Sequence, residues 1–179
     1  WADWALGYPG VQRAAAELRW TGSWYTVFVT VDRIGGADVS DDDAFRTGLL
    51  AHLNRARLAG YDLELRDPVF APLRLSLRIC VARDHARAAV HSALLDRFTA
   101  GIRRDGTRGF FHPDNYSFGD PVFSSRIHAA AMKVDGVGSV EILDFHRWDR
   151  VPNEEIAEGV FRPGDREIVQ LENDPNFPE

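Results

Sequence analysis

The segment over residues 24–31 constrains the fold of this chain more than any other. Its side chains alternate between two faces, with Tyr25, Val27, Val29 and Val31 on one and Trp24, Thr26, Phe28 and Thr30 on the other. Aromatic and β-branched residues in a period of two are typical of a β-strand. Because both faces carry apolar residues, we predict a central strand that is covered on both sides.

The remaining pattern predicts a mixture of helices and further strands. Apolar residues at helical spacing predict helices between Ser40 and Gly60 and over about 84–98 and 124–134, with a short helical stretch around 12–18. Alternating or β-rich runs predict strands over 61–65, 73–80, 140–148 and 167–171. Residues 101–123 are expected to form a loop or hairpin with its tip at 104–106. The fold class is therefore α+β with mostly antiparallel sheet, and its β-α-β-β-α order is most of a split βαβ unit.

Composition excludes several classes of protein. The chain has 179 residues, a net charge of −6 and a pI near 5.5, which argues against a general nucleic-acid binder. No apolar run approaches the roughly 18 residues that a membrane-spanning helix needs. Cys80 is the single cysteine, so an intrachain disulfide and a multi-cysteine metal site are excluded.

Candidate chemical groups do not assemble into a catalytic motif. Cys80 alternates with Arg74 and Arg78 on the polar face of its strand and is expected to be a half-buried structural cysteine. Asp41–Asp43 lack the ligand spacing of a calcium loop, and Ser40 with Asp43 has the spacing of a capping box. Ser23 lacks the G-x-S-x-G motif, and Glu154, Glu155 and Glu158 are expected to form a solvated acidic face. We predict no catalytic residue, no cofactor and no bound metal.

The histidines leave one metal hypothesis open. They are His52, His85, His91, His112, His128 and His146. His85 and His91 are six residues apart, so they would lie on different faces of a helix and cannot form a two-histidine metal pair. His112 and Asp114 could meet His128 in space, although surface or loop histidines are the favoured interpretation.

Aromatic residues crowd two parts of the chain. Trp1, Trp4, Tyr8, Trp20 and Trp24 lie within the first 24 residues, and Phe110, Phe111, Tyr116 and Phe118 lie in one loop. Aromatic residues are enriched both in cores and at protein interfaces, and the sequence favours neither interpretation.

Three ordered stretches resemble the baseplate J-like family of contractile phage tails and related injection systems. They are residues 9–14 with 18–29 (PGVQRA and LRWTGSWYTVFV), residues 134–137 (VDGV) with Val140 and Glu141, and residues 162–175 (RPGDREIVQLENDP). Residues 1–7 depart from the usual lead-in of that family. Because the chain begins at Trp1 and stops in a turn-rich segment, we expect it to be a fragment of a larger multidomain protein.

The resemblance implies a structural protein with small ferredoxin-like lobes. It suggests a lead-in segment (1–23), a lobe (24–100), a loop and helix-strand that complete it or form a second lobe (101–148), and a C-terminal extension (149–179). The implied function is a baseplate wedge component, in a ring around the central hub or spike that couples to sheath contraction. The implied location is an assembled particle built in the bacterial cytoplasm.

The resemblance also implies partners. These are a second copy within the wedge, neighbouring wedges, a second wedge protein, and sheath-initiator-like and hub or spike proteins, with no nucleic acid and no membrane insertion. Two alternatives stay open from the residues alone. One is a small metal-dependent hydrolase domain using His112, Asp114 and His128, and the other is a ferredoxin-like ligand-binding module.

Overall fold

A computed structural model describes residues 1–57, 59–151 and 154–171. Its helices are α1 (Ala2–Leu6), α2 (Asp43–Asn54), α3 (Arg87–Phe98), α4 (Ser124–Met132) and α5 (Glu155–Glu158), with a short 3₁₀ helix at Pro113–Asn115. Its strands are β1 (Val11–Trp20), β2 (Tyr25–Arg33), β3 (Tyr61–Arg66), β4 (Val69–Val81), β5 (Val122–Phe123), β6 (Val137–Arg147), β7 (Val160–Phe161) and β8 (Glu167–Leu171). None of the described helices is both long and apolar enough to cross a membrane.

The chain divides into two compact units. Unit 1 contains Trp1–Val69 and Asp165–Glu167, and unit 2 contains Phe70–Gly164 and the chain from Ile168 onward. The division differs from the expected lobe over 24–100, because β4 pairs with β6 and β8 instead of extending the sheet of β2 and β3. The expected lead-in over 1–23 also differs, since those residues contribute a helix and a strand to unit 1.

Unit 1 is built on a three-stranded sheet in the order β1-β2-β3. β1 pairs antiparallel with β2, and β3 pairs parallel with β2. The β2-α2-β3 segment is thus a βαβ unit, because parallel neighbours need a crossover connection. A split βαβ unit would place another strand between β2 and β3, so the expected ferredoxin-like arrangement differs here. The α+β class with small, mostly antiparallel sheets is confirmed.

The predicted central strand is confirmed in β2, which is buried continuously from Thr26 to Asp32. Val27, Val29 and Val31 pack on the side of the sheet that shares a core with Leu49 and Leu53 of α2. These side chains lie on one face because strand side chains alternate. The helix therefore covers one face of the predicted strand.

The start of α2 is fixed by an aspartate. The Asp42 side chain accepts a hydrogen bond from the Phe45 backbone N–H at 2.9 Å, and a second carboxylate oxygen lies 2.9 Å from the Arg33 guanidinium. The helix cap is thus Asp42 and not the predicted Ser40, because the helix begins at Asp43. These two contacts, the backbone hydrogen bond first, lower the pKa of the Asp42 carboxyl below 3.8.

We expect Asp42→Ala to destabilise unit 1 near neutral pH, because the Phe45 N–H loses its partner. A lowered folded-state pKa contributes stability above the unfolded pKa, and that contribution is lost as pH falls through the folded value. The difference between the variant and the parent should therefore be smaller at a pH well below 3.8 than near neutral pH. Urea unfolding at both pH values measures this, with the exposed neighbour Asp41→Ala as control. An undiminished difference at acid pH would contradict the prediction.

Unit 2 contains a sheet in the order β6-β4-β8 and a two-stranded β5-β7 pair. β4 and β6 run antiparallel, with Leu73 opposite Arg147 and Leu75 opposite Phe145. Leu73 is buried, while Arg78 on the alternate face is exposed, as the sequence pattern predicts. Two register shifts along this pair leave local irregularities in an otherwise long ladder.

The core of unit 2 collects residues from distant parts of the chain. Its fully or nearly fully buried members include Phe111, Phe145, Phe161, Ile127 and Ile168. They come from the loop after α3, from β6, β7 and α4, and from the last described strand. The core of unit 2 is therefore formed by residues that lie far apart in the sequence.

Two further expectations are corrected by the structure. The helical stretch expected around 12–18 is part of strand β1, because its backbone pairs with β2 from Val11 to Trp20. Pairing with a neighbouring strand overrides the helical preference of Ala14–Ala16. The helix predicted over about 84–98 begins later, at Arg87, and ends at Phe98 as predicted, with Thr99 as its cap. The tip expected at 104–106 is confirmed as a turn, with Gly106 at a φ of 80°.

Candidate interaction surface

One end of the unit 1 sheet exposes a row of large apolar side chains. Leu18, Trp20 and Tyr25 are 52%, 54% and 47% exposed, and the Trp20 and Tyr25 rings lie 5.2 Å apart. The Tyr25 ring also lies 6.3 Å from Tyr61 on β3. We call these four residues the aromatic edge. Exposed groups of this size and type mark protein interaction sites more often than solvent surface.

The aromatic edge lies on the same face of the sheet as the core shared with α2, and Tyr61 packs against that core. Tyr25 lies on the same face of β2 as Val27 and Val29. The two valines belong to the core shared with α2, whereas Tyr25 remains exposed. The exposed row is thus the continuation of the core face beyond its helix.

The opposite face of the unit 1 sheet is closed by charged residues. Phe28 is 4% exposed and lies between two guanidinium groups, with Arg66 4.0 Å and Arg19 5.4 Å from the ring centre. Asp32 of the same strand pairs with Arg13 of β1 at 3.0 Å. Cation–π contacts and ion pairs therefore cover the second face of the central strand.

The other aromatics of the first 24 residues serve the unit itself. Trp1 and Tyr8 pack against the unit 1 core. Trp4 stacks on the His52 ring at 5.3 Å and donates its Nε1–H to the His52 carbonyl oxygen. Trp24 is exposed but donates its Nε1–H to Asp62 at 2.6 Å. The core interpretation thus holds for Trp1 and Tyr8, whereas Trp20 and Trp24 are exposed.

The aromatic residues in the loop between α3 and α4 belong to the hydrophobic core of unit 2 or pack against it. Phe111 and Tyr116 are 2% and 4% exposed, and Phe110 and Phe118 pack against the same cluster. Burial raises the pKa of Tyr116 to about 12, with Arg126 opposing the shift, so its phenol remains neutral at physiological pH. This loop therefore offers no exposed aromatic surface like that of unit 1.

The structure brings two residues of the metal hypothesis, His112 and Asp114, to within 3.9 Å of each other, but among the described residues His128 is not grouped with them. Asp114 donates its backbone N–H to His112 Nδ1 at 3.1 Å, and its carboxylate pairs with Arg108 at 2.9 Å. His128 lies exposed on α4. In the described part of the chain no three His, Cys, Asp or Glu residues are grouped as metal ligands. The hydrolase alternative thus has no metal centre within these residues.

The remaining candidates from the sequence are dispersed. Cys80 is exposed and not half-buried, because it lies near the end of β4, opposite Ser139. Glu158 forms an ion pair with Arg162 at 2.8 Å, as expected for a solvated acidic face. Ser23 lies in the exposed turn between β1 and β2. None of these groups lies in a site that collects several reactive side chains.

His85 belongs to a small charged cluster that sequence analysis missed. Its Nδ1 lies 2.9 Å from Asp84 and its Nε2 lies 3.3 Å from Asp135, in the turn after α4. The hydrogen bond with Asp84, followed by that with Asp135, raises the pKa of His85 above 6.5. The His85 ring therefore contacts both the turn before α3 and the turn before β6.

We expect the stability of unit 2 to fall as pH rises through the raised pKa of His85. A raised folded-state pKa contributes stability that is present below the unfolded value, near 6.5, and is lost above the folded value. His85→Gln should remove this part of the pH dependence. Thermal unfolding across that range measures it, with His91→Gln, an exposed residue of α3, as control. Equal pH dependence in parent and His85→Gln would contradict the prediction.

Three arginines meet at a cleft in unit 2. The cleft encloses about 340 Å³ and is lined by Arg97, Arg108, Gly109, Phe110, Asn115 and Arg126. We call it the arginine cleft. Its basic residues come from α3, the following loop and α4. Their wide spacing in the chain gives no pattern by which the sequence could have revealed the cleft.

Comparisons with known proteins found a family match within unit 1 and a similarity of fold to a solved structure. Residues 1–66 match the family model described as the Baseplate J-like central domain. A search of the curated proteins found no match.

Among solved structures, the chain is similar to a chain in the cryo-electron microscopy structure of the anti-feeding prophage (AFP) baseplate, with a TM-score of 0.58 and 10% sequence identity. The similarity covers 96% of this chain and 36% of that chain. At this identity the likeness is one of fold, and it extends to a minor part of the larger protein. The resemblance expected from the sequence is thereby confirmed, with residues 1–66 matching the Baseplate J-like central domain.

Proposed function

We propose that this chain is part of a structural protein of the baseplate of a contractile phage tail or tail-like injection system. The family match over residues 1–66 is the observation that carries the proposal. The similarity of fold to a chain of the AFP baseplate, over 96% of this chain, supports it independently. Because this chain corresponds to 36% of that chain, the role belongs to the longer protein of which it would be a part.

Within the baseplate we propose a wedge role. The protein would pair with a second copy, contact a second wedge protein and sheath-initiator-like and hub or spike proteins, and join a ring that couples to sheath contraction. The particle would be built in the bacterial cytoplasm, and the role would be structural and not catalytic. The exposed aromatic edge supports association with other proteins, because Trp and Tyr are enriched in interface hot spots.

Electron microscopy of particles from the native host tests the proposal. The full-length gene product would carry an affinity tag, and the captured material would be imaged by negative stain. We expect sheathed or tailed tubes with the tag at one end. Small soluble species without co-purifying sheath or tube proteins would overturn the baseplate assignment.

A matched pair of variants tests the aromatic edge. Trp20→Ser should reduce incorporation of the tagged protein into particles, because it removes an exposed aromatic anchor. Ile34→Ser is the control, since Ile34 is also exposed (69%) but lies outside the aromatic edge. Circular dichroism of the purified variants checks that both remain folded. Normal incorporation of Trp20→Ser would exclude this surface as a contact within the baseplate.

A further inference from the structure

We propose that the arginine cleft of unit 2 binds an acidic side chain presented by a protein partner. Three arginines line the cleft, and among the described residues none of its lining side chains is acidic. Like charges held near one another favour a bound anion, which relieves their repulsion. The inference concerns unit 2 and does not depend on the baseplate assignment.

Two of the three arginines have side chains that are free to receive a ligand. Within the described residues, neither Arg97 nor Arg126 forms an ion pair or a side-chain hydrogen bond, and the buried Nε of Arg97 has no hydrogen-bond partner. Arg97 lies in the last turn of α3, where a cation is favoured by the helix dipole.

The third arginine already has a carboxylate partner. Arg108 pairs with the Asp114 carboxylate at 2.9 Å, and Asp114 is not among the lining residues of the cleft. Guanidinium forks match the two oxygens of a carboxylate in a bidentate arrangement. A second carboxylate between Arg97 and Arg126 would find the same kind of partner.

The backbone of the cleft argues for a side chain and against a free phosphate. Phosphate-binding loops present several free backbone N–H groups. Here the Gly109 N–H donates to the Gly101 carbonyl oxygen and the Phe110 N–H donates to the Arg97 carbonyl oxygen, both at 2.9 Å. The Phe110 ring supplies an apolar wall for the methylene groups of a glutamate. Recognition would therefore come from guanidinium groups and this wall.

The partner is an acidic segment and not an extended polyanion. The chain has a net charge of −6, so its overall field repels anions and the cleft is a local exception. A short acidic segment needs only that local charge, whereas nucleic acid binding relies on many phosphate contacts over a wide basic surface.

Fluorescence anisotropy with a labelled tetraglutamate peptide tests the proposal on the whole chain. We expect saturable binding that Arg126→Gln weakens about tenfold, the loss of one charge-assisted contact. The control Arg78→Gln removes the same charge from an exposed arginine paired with Glu141 and should leave the affinity unchanged. The matched tetraglutamine peptide should not bind. Arg97→Gln is the second variant, with its folding checked by circular dichroism.

Four outcomes would overturn the proposal. Equal weakening by Arg78→Gln and Arg126→Gln would show unspecific attraction by charge. Displacement of the peptide by inorganic phosphate at equimolar concentration would show a small-anion site instead. Tighter, Arg126-dependent binding of a labelled single-stranded oligonucleotide would show a nucleic-acid site. Retention of full affinity in both Arg97→Gln and Arg126→Gln would exclude the cleft altogether.

Discussion

Phe145→Ala is expected to destabilise unit 2 by about 3–5 kcal/mol. Phe145 is fully buried near the C-terminal end of β6, opposite Leu75 of β4, and its ring centre lies 6.4 Å from that of Phe161. Truncation removes most of a large apolar side chain and leaves a cavity. The backbone hydrogen bonds between β4 and β6 hold these strands in place around it. The surrounding residues cannot close this cavity fully, so the transfer and cavity costs add.

Urea unfolding followed by circular dichroism measures the loss, and peptide-resolved hydrogen exchange assigns it to unit 2. Leu143→Ala is the matched control, because Leu143 lies two residues away on the same strand and is 41% exposed. We expect Leu143→Ala to lower the free energy of unfolding by only a small fraction of the loss caused by Phe145→Ala. Similar losses in the two variants would show that β6 does not bury Phe145 as the structure describes.

Gly109→Ala is expected to cost about 3 kcal/mol through overpacking, although it adds only one methyl group. A Cβ at Gly109 would overlap the Thr99 carbonyl oxygen and lie 2.9 Å from the Thr99 carbonyl carbon. The obstacle is backbone, which cannot rotate away as a side chain can. Gly109 is also held in place, since its N–H donates to Gly101 and its carbonyl oxygen accepts from Asn115 Nδ2 at 2.7 Å.

The matched control for this prediction is Gly101→Ala. A Cβ at Gly101 would meet only the Thr99 hydroxyl oxygen at 3.6 Å, an ordinary contact. Thermal unfolding of the two variants should therefore separate them clearly, with Gly101→Ala near the parent. A melting temperature of Gly109→Ala equal to that of Gly101→Ala would contradict the close approach of Gly109 to Thr99.

Elements with a strong local pattern could be predicted from the sequence. Strand β2 was evident from its alternation, and β8 was predicted with the bounds Glu167–Leu171 that the structure shows. Strand β1 was missed, because its Ala14–Ala16 run favours a helix and only its pairing with β2 makes it a strand. Pairing between distant segments is a tertiary effect that local propensity does not contain.

The candidate sites depend even more on tertiary structure. The abundance of aromatics near Trp20 predicted either a core or an interface, but exposure had to be seen to separate Trp20 from the packed Trp1. The arginine cleft joins residues that share no periodic spacing, from Arg97 to Arg126. The His85 cluster likewise needs Asp135 from another turn. The fold brings these residues together from distant parts of the chain, and their proximity cannot be inferred from one sequence.

The pairing pattern of the two sheets has a consequence for the speed of folding. In unit 1, β1 and β2 are neighbours in the chain, and β3 follows after one helix, so most contacts close short loops. In unit 2, β4 pairs with β6 and with β8, and β8 lies at the end of the described chain. Because folding slows as contacting residues lie farther apart in sequence, the Trp1–Val69 part of unit 1 should form first during synthesis. Unit 2 would complete its core only after Ile168 and Val169 have left the ribosome.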